Sequence, residues 1–196
     1  DLLIQPTLQN PLIPLSSGQP HYEEKLWNNI LQVSSPSFFQ VNTLQAEQLV
    51  EIVRDRLQLN ETHSLIDAYA GVGTFAILLA PYVAKIFAIE ESKAAVKDAV
   101  INAAGIKNLQ FCLGKTETIL STMDKRPDAV ILDPPRLGCQ PAALKALANL
   151  APTRVVYVSC DPVSLAQNLH VLTRLGFSVD AVEPIDMFPQ THHVEC

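Results

Sequence analysis

Short apolar runs of β-forming residues recur along the chain from residue 64 onward, and segments with helical spacing lie between them. The runs are SLIDAYA (64–70), KIFAIE (85–90), LQFCL (109–113), DAVILD (128–133), RVVYVS (154–159) and FSVDAVEPI (177–185), and HVEC (193–196) begins another. Strands that alternate with helices are typical of a parallel sheet covered by helices on both faces. The sequence therefore predicts an α/β fold with a mostly parallel, doubly wound sheet.

The segments between these runs carry helix signals. Asn42 followed by Gln45 resembles a capping box, and apolar residues at helical spacing then predict a helix over 43–59. Ser92 is the expected N-cap of a later helix that ends near Gly105. Further helices are predicted over 74–80, 117–122, 142–150 and 163–175.

The first part of the chain has a different character. Four prolines among the first 20 residues exclude a helix there and favour extended segments. We therefore divide the chain into an N-terminal extended or β appendage, residues 1–41, and one α/β domain, residues 42–196. The ends of the sequence resemble neither a natural start nor a natural stop, and we expect a piece of a longer protein.

Composition limits the function classes. Among 196 residues, 48% are hydrophobic and the net charge is −6, with no basic block. Nothing in this charge pattern favours nucleic-acid binding, and no apolar run is long enough to span a membrane. The four cysteines are too far apart for a CxxC metal site, so we expect reduced thiols, no metal and a cytoplasmic protein without a targeting segment.

Polar residues collect just after the predicted strands, where ligands bind in open α/β sheets. The first strand leads into a glycine turn with Gly71 and Gly73, which suits close approach to a nucleotide. Glu90 ends the next strand, about twenty residues on, and suits two ribose hydroxyls. These features alone do not separate a nicotinamide dinucleotide from S-adenosylmethionine.

Two further strand ends carry unusual residues. Asp133 begins DPPR (133–136), a stiff loop that can present a carboxylate and carbonyls to a planar group. Cys139 follows on a loop that we expect to be mobile. Cys160 ends the fifth strand within SCDP (159–162). A lone cysteine there is more often a core residue than a nucleophile, and it is the Asp-Pro that follows it, together with the other sequence blocks described next, that reverses that interpretation.

Five blocks in order give the chain its resemblance to a known family. FFQVN (38–42), DAYAGVGTF (67–75), DPPRLG (133–138), SCDP (159–162) and DMFPQTHHVE (186–195) resemble the motifs of the S-adenosylmethionine-dependent RNA uracil-5-methyltransferases, which modify tRNA and 23S ribosomal RNA. The likeness covers roughly residues 22 to 196. It implies a Rossmann-like class I methyltransferase fold, with residues 42–196 as the catalytic domain. Asp161 departs from the asparagine that family members often carry.

The resemblance also implies residue roles. Cys160 matches the nucleophile that adds to C6 of uracil, and Glu195 matches the base that removes the C5 proton. The implied contacts of the cofactor, S-adenosyl-L-methionine, are Gln40, Tyr69, Glu90 and Asp133, beside the glycine turn. The implied substrate is RNA, in which the target base is flipped out of its stack. The family's N-terminal RNA-binding region is not recognisable here.

Three alternatives stay open from the residues. An amino-group methyltransferase also uses an Asp-Pro-Pro loop and needs no thiol. The chain by itself could bind the cofactor without turning over. A dehydrogenase would explain the glycine turn but not SCDP or DPPR. Since the last strand is cut short, we also expect self-association through an exposed sheet edge.

Overall fold

The N-terminal strands form two separate antiparallel pairs. The structure is a computed structural model that describes residues 3–4, 13–14, 21–34, 37, 39, 42–191 and 194–196. Strand β1 (Leu3–Ile4) pairs with β2 (Ile13–Pro14). Strand β3 (His21–Leu26) pairs with β4 (Asn29–Ser34) in a hairpin that turns at Trp27 and Asn28.

Helix α1 (Thr43–Leu57) connects the hairpin to the α/β domain. Asn42 caps it as predicted, because its side-chain oxygen accepts a hydrogen bond from the Gln45 amide at 3.3 Å. Gln58 ends the helix in the left-handed conformation, with φ of 50°. The helix buries one apolar face, which consists of Ala46, Leu49, Val50, Val53 and Leu57.

Strands and helices alternate over the rest of the domain, as the sequence predicts. The elements are β5 (Ser64–Ala68), α2 (Thr74–Leu79), a 3₁₀ turn (Ala80–Tyr82), β6 (Lys85–Glu90), α3 (Lys93–Asn102), β7 (Leu109–Leu113), α4 (Thr116–Thr122), β8 (Ala129–Leu132), α5 (Pro141–Leu150), β9 (Arg154–Tyr157) and α6 (Pro162–Arg174). Predicted and observed ends of these elements differ by a few residues at most. Ser92 caps α3 by accepting from the Ala95 amide.

The five strands β5 to β9 form one parallel sheet in the order β7-β6-β5-β8-β9. This is the Rossmann-like, doubly wound arrangement of class I methyltransferases. The strand order reverses between β5 and β8, and such a switch point opens a crevice beyond the carboxyl ends of the strands. The central strands β5 and β8 are almost entirely buried, so the residues after them are fixed by the core.

The predicted strand over 177–185 is wrong. Its one strand-like contact is a bridge from Ile185 to Glu195, while Cys196 exchanges backbone hydrogen bonds with Ser159. The preceding residues instead line an open groove of about 540 Å³ along β9, together with Val156 and Leu169. Within the described residues nothing lies in this groove as a strand. A strand needs a hydrogen-bonded neighbour, which alternation of apolar residues cannot supply.

Buried polar groups join the β3–β4 hairpin to helix α3. Asp98, which is 1% exposed, accepts hydrogen bonds from Gln32 Nε2, from the Ser34 amide and hydroxyl, and from the Ser37 hydroxyl. Asn102 accepts from the Gln32 amide and donates to the Gln32 carbonyl. The hairpin is therefore bonded to the domain by charge-assisted hydrogen bonds as well as by packing.

Helices of membrane-spanning length and apolarity are absent from the part of the chain that the structure describes.

Candidate active site at the carboxyl ends of the strands

The glycine turn after β5 has the backbone geometry of a close-approach site. Gly71 and Gly73 have φ of +55° and +91°, which favours glycine at both positions. A Cβ at Gly71 would meet open space, whereas one at Gly73 would lie 3.0 Å from Ile77 Cδ1 and Phe111 Cζ. The turn therefore leaves open room beside Gly71 and is packed tightly beneath Gly73.

Tyr69 adds strain to the same turn. Its φ of 69° lies in the left-handed region, which a bulky side chain rarely adopts outside functional sites. Burial raises the pKa of its hydroxyl, which contacts the side chains of Cys139 and Thr116. Tyr69 thus links the glycine turn to the loop that follows β8.

Glu90 closes the turn from the neighbouring strand. Its Oε2 accepts a hydrogen bond from the Gly71 amide at 2.9 Å, and its Oε1 accepts from the Ser92 amide at 2.7 Å. The side chain is half-buried, and a carboxylate retains lone pairs for further donors after accepting two such bonds. Glu90 is therefore fixed beside the open space at Gly71.

Beneath the turn lies the carboxyl of Asp67, which is 0% exposed. Its Oδ2 accepts a hydrogen bond from the Ala76 amide at 2.9 Å, while its Oδ1 has no partner among the described residues. Burial and the nearby Glu90 carboxyl raise the pKa of Asp67 to about 7. An acceptor in this state can receive a donor from a bound molecule.

The loop after β8 is held in one conformation. The Gly138 amide donates to the Pro135 carbonyl at 2.7 Å, which closes a tight turn over 135–138. The Cys139 amide donates to Asn168 Oδ1 at 2.7 Å and to the Tyr157 hydroxyl at 3.2 Å. Cys139 is itself buried, so the expectation of a mobile loop is wrong.

Asp133 stands at the start of that loop, at the switch point of the sheet. Burial raises the pKa of its carboxyl well above the ordinary value, and the carboxyls of Glu195 and Asp67 raise it further. Three acidic groups from separate parts of the chain thus lie close enough to affect one another's charge. A cationic ligand would relieve this repulsion.

Cys160 lies three residues past the end of β9 and is half-buried. Burial and the Glu195 carboxyl raise the pKa of its thiol, while a hydrogen bond and the charge of Arg136 act in the opposite direction. Asp161 then caps α6, because its carboxylate accepts from the Ser164 amide at 2.7 Å. Cys160 therefore directly precedes the capping residue of a 13-residue helix, and Arg136 is the side chain that lowers the pKa of its thiol.

Glu195 reaches the same place from the end of the chain. It is 2% exposed, and its backbone exchanges hydrogen bonds with Ile185 in both directions. Burial raises the pKa of its carboxyl to about 7, which suits a group that takes up and releases a proton near neutral pH.

With this geometry in view, the comparisons with known proteins agree with one another. A family model described as tRNA (uracil-5-)-methyltransferase matches residues 27–196. The chain belongs to this family. An uncharacterized RNA methyltransferase of Thermosynechococcus vestitus is 43% identical over 182 residues, which are 91% of this chain and 40% of that protein. Another, from Gloeobacter violaceus, is 39% identical and covers 97% of this chain and 42% of its own length.

Solved structures extend the family likeness to three dimensions. The tRNA (uracil-54, C5)-methyltransferase of Pyrococcus abyssi, in complex with S-adenosyl-L-homocysteine, superposes with a TM-score of 0.77 at 32% identity over 91% of this chain and 43% of its own. A precorrin-6y C5,15-methyltransferase of Geobacter metallireducens, at 15% identity and a TM-score of 0.63 over 76% of this chain and 85% of its own, shares the fold alone. The chain spans about 40% of the length of the curated relatives it matches.

The structure gathers most of the residues that the uracil-5-methyltransferase resemblance implies. Cys160, Glu195 and Asp133 lie together, and the glycine turn with Glu90 adjoins them through Asp67. Gln40, which the resemblance also implies as a cofactor contact, lies outside the described residues. Among the described residues, no group of three or more His, Cys, Asp or Glu side chains is placed to hold a metal ion.

Two residues of this site were missed from the sequence. Asp67 looked like one polar residue within an apolar strand, and no local signal shows that one of its oxygens is left without a partner. Arg136 lies within the DPPR block, and the sequence does not indicate its role because its partner Cys160 is distant along the chain. The one hint in the sequence is that a charged residue, Arg136, directly precedes Leu137 in the DPPRL block.

Proposed function

We propose that this chain is the catalytic part of an enzyme that transfers a methyl group from S-adenosylmethionine to C5 of a uridine in RNA. The observation that carries the proposal is the half-buried Cys160 beside the buried carboxyl of Glu195, at the carboxyl edge of the sheet. Membership of the uracil-5-methyltransferase family and the related tRNA methyltransferase from Pyrococcus abyssi support it.

The residues present fit S-adenosylmethionine. Its ammonium and sulfonium groups are cationic, and the partly exposed carboxyls of Glu90 and Asp133 lie at the crevice, with the buried carboxyl of Asp67 beneath the turn. The open space beside Gly71 admits close approach of a ligand to the backbone, and Glu90 suits the two ribose hydroxyls. Tyr69 is the further contact that the family resemblance implies. When bound, the cofactor supplies a methyl group that is electrophilic at carbon.

The proposed role of Cys160 is to make C5 of the acceptor uracil nucleophilic. C5 of uracil is a weak nucleophile, and addition of the Cys160 thiolate to C6 moves an electron pair onto C5 through an enolate. That carbon would then take the methyl group as its bond to the sulfonium sulfur breaks, and the electron pair of that bond would stay on sulfur, which leaves S-adenosylhomocysteine. Arg136 favours the thiolate that starts this sequence, whereas burial and the Glu195 carboxyl raise the pKa of the thiol.

Glu195 completes the reaction. After methylation C5 carries both a proton and the methyl group, and Glu195 removes the proton. The electron pair left on C5 re-forms the C5–C6 double bond and expels the Cys160 thiolate. With a pKa of about 7, the Glu195 carboxyl is mostly deprotonated above neutral pH, and it can both accept and release a proton near pH 7.

The acidity of the chain is compatible with an RNA substrate at this site. A flipped base needs a polar pocket of its own size, and the acidic groups here face the cofactor crevice. The chain spans about 40% of the length of the curated relatives it matches, so we infer that contacts to phosphates, which supply most of the affinity for RNA, need not lie within it.

The decisive experiment uses RNA that contains 5-fluorouridine, with tRNA and 23S ribosomal RNA transcripts tested separately. Fluorine at C5 cannot leave as a proton, so a covalent complex of protein and RNA should accumulate on denaturing gels. Cys160→Ala should form none, and Glu195→Gln should trap a complex with ordinary uridine RNA as well. Full methylation by Cys160→Ser would instead favour an amino-group methyltransferase.

Cofactor binding can be tested apart from turnover. Calorimetry of this chain with S-adenosylhomocysteine should show one binding site. If the chain binds the cofactor product but does not methylate RNA, residues 1–196 carry cofactor binding and not the complete methyl transfer.

A further inference from the structure

The turn after Asp133 ends in an unusually exposed apolar side chain. Leu137 is 89% exposed, more than any other large hydrophobic side chain among the described residues. Scattered exposed hydrophobic residues are ordinary and need no explanation by themselves. Leu137 differs because a hydrogen bond closes the turn that carries it, and because its neighbour Arg136 contacts Cys160.

The turn that carries Leu137 is rigid. Gly138 donates to the Pro135 carbonyl within it, and Gly138 has φ of +75°. A Cβ at Gly138 would lie 2.8 Å from Asn168 Oδ1, so the turn packs directly on helix α6. The next amide, that of Cys139, is fixed by Tyr157 and Asn168. The exposure of Leu137 is therefore a fixed feature of the fold.

The turn also lies at the nucleophile. Arg136, the residue before Leu137, hydrogen-bonds the Cys160 side chain. Consecutive Cα atoms are about 3.8 Å apart, so the exposed leucine stands one residue from the side chain that contacts the thiol. A substrate base bound at Cys160 would therefore lie close to this turn.

We propose that Leu137 is a wedge that enters the base stack of the RNA beside the target uridine and occupies the space that the flipped base leaves. The inference rests on the proposed function, since only a reaction on a flipped base needs such a wedge. Apolar side chains on rigid supports are inserted between base steps by proteins that unstack nucleic acids. A leucine makes no hydrogen bonds to base edges, so the wedge would act on any flanking sequence.

The test compares two RNAs in methyl transfer by the whole protein. One is an RNA that the wild-type protein methylates, and the other has abasic nucleotides on both sides of the target uridine, which removes the stack. Leu137→Ala should lower kcat/KM by about tenfold or more on the stacked RNA, because unstacking costs a few kcal/mol. On the abasic RNA it should stay within about twofold of the wild type, because no stack has to be opened there.

Two control variants separate the wedge from other effects. Leu137→Met keeps an apolar side chain of similar size and should behave as the wild type on both RNAs. Leu44→Ala removes another exposed leucine, 73% exposed, from the start of α1 and should change neither rate. Equal losses on the two RNAs for Leu137→Ala, or no loss on either, would overturn the wedge and indicate a general protein or RNA contact.

A fluorescence readout keeps the wedge testable apart from catalysis. A 2-aminopurine next to the target uridine should brighten when wild-type protein binds with S-adenosylhomocysteine, and should brighten less with Leu137→Ala. If the wild type brightens the probe more than Leu137→Ala does but methylates no RNA, the proposed reaction fails and only the unstacking of RNA by Leu137 is supported. If it methylates normally and Leu137→Ala brightens the probe equally, the wedge fails alone.

Discussion

The buried carboxyl of Glu195 raises the pKa of the Cys160 thiol, so the proposed base and the proposed nucleophile affect each other's charge. Their elements are far apart in the sequence, and they meet where β9 ends and Glu195 pairs with Ile185. The pair therefore needs a cation or a neutralising proton before the thiolate becomes abundant near neutral pH. Arg136 supplies part of that charge.

The first prediction concerns the reactivity of this thiol. Glu195→Gln removes a negative charge from beside Cys160, so the pKa of the thiol should fall. Alkylation of Cys160 by iodoacetamide, followed by peptide mass spectrometry, should then reach half its maximal rate at a lower pH than in the wild type. Glu91→Gln, at an exposed position, is the matched control. An unchanged or higher midpoint in Glu195→Gln would show that the two groups are not coupled.

The second prediction concerns stability at different pH values. The folded-state pKa of Asp67, about 7, lies above the ordinary value of 3.8, so the folded state holds its proton more tightly. The wild-type protein should therefore lose free energy of unfolding as pH rises from about 4 to about 7. Asp67→Asn removes this loss and keeps an acceptor for the Ala76 amide.

The size of this effect is set by the pKa difference. At about 1.4 kcal/mol for each pKa unit, the gain in Asp67→Asn is at most about 4 kcal/mol at pH 8. Thermal melts should show a higher Tm than in the wild type at pH 8 and a smaller difference at pH 5. A Tm that is lower in the variant at both pH values would contradict a desolvated Asp67 carboxyl.

The third prediction compares the two glycines of the cofactor turn. Gly73→Ala places a methyl group 3.0 Å from Ile77 and Phe111 at a φ of +91°, and should cost roughly 2 kcal/mol or more of stability. Gly71→Ala meets open space and should cost only about 1 kcal/mol. Its methyl group fills the room proposed for the cofactor, so calorimetry should show weaker binding of S-adenosylhomocysteine. Equal stability losses would contradict the packing described beneath Gly73.

The fourth prediction tests the attachment of the β3–β4 hairpin. Asp98→Ala leaves the Gln32 and Ser34 donors without their buried acceptor, and should destabilise the protein by about 3 kcal/mol. Amide hydrogen exchange should become faster across His21–Leu26 and Asn29–Ser34 before it changes in β5. Lys97→Ala, the exposed neighbour on α3, should have little effect. Unchanged exchange in the hairpin would show that Asp98 does not hold it.

The fifth prediction follows from the groove along β9. An open strand edge pairs readily with another chain, so this chain should self-associate as its concentration rises. Sedimentation velocity measures this directly. Val182→Lys places a charge at the groove, where Val182 is 58% exposed, and should reduce association. Val100→Lys, at an equally exposed valine on α3, should not, and equal effects of the two would locate the contact elsewhere.

The sequence predicted the parallel sheet and the gathering of its strand ends because both depend on local patterns. An apolar run such as 128–133 indicates a buried strand whichever strands it pairs with. Residues that follow parallel strands all lie at the same edge of the sheet. Cys160 and Asp133 were found in this way. The role of Glu195 came from the family resemblance, and its burial against Ile185 is set by contacts that no local pattern shows.

The failures have a common physical origin. The segment 177–185 has the apolar–polar alternation of a strand. Whether it forms one depends on whether another strand lies beside it to accept its backbone hydrogen bonds. The left-handed φ of Tyr69 and the unpartnered oxygen of Asp67 are likewise properties of the assembled core. Such features arise from long-range packing, and they fall mostly at the proposed site.

The side chain of Asn102 connects the N-terminal hairpin to the glycine turn by hydrogen bonds. Its single amide nitrogen donates to the Gln32 carbonyl at 3.0 Å and to the Val72 carbonyl at 3.1 Å. A displacement of β4 would therefore reach the backbone of the glycine turn through Asn102, beside the Asp98 hydrogen bonds that also join the hairpin to α3. The position of the hairpin and the shape of the turn proposed to bind the cofactor are thus coupled through one shared side chain.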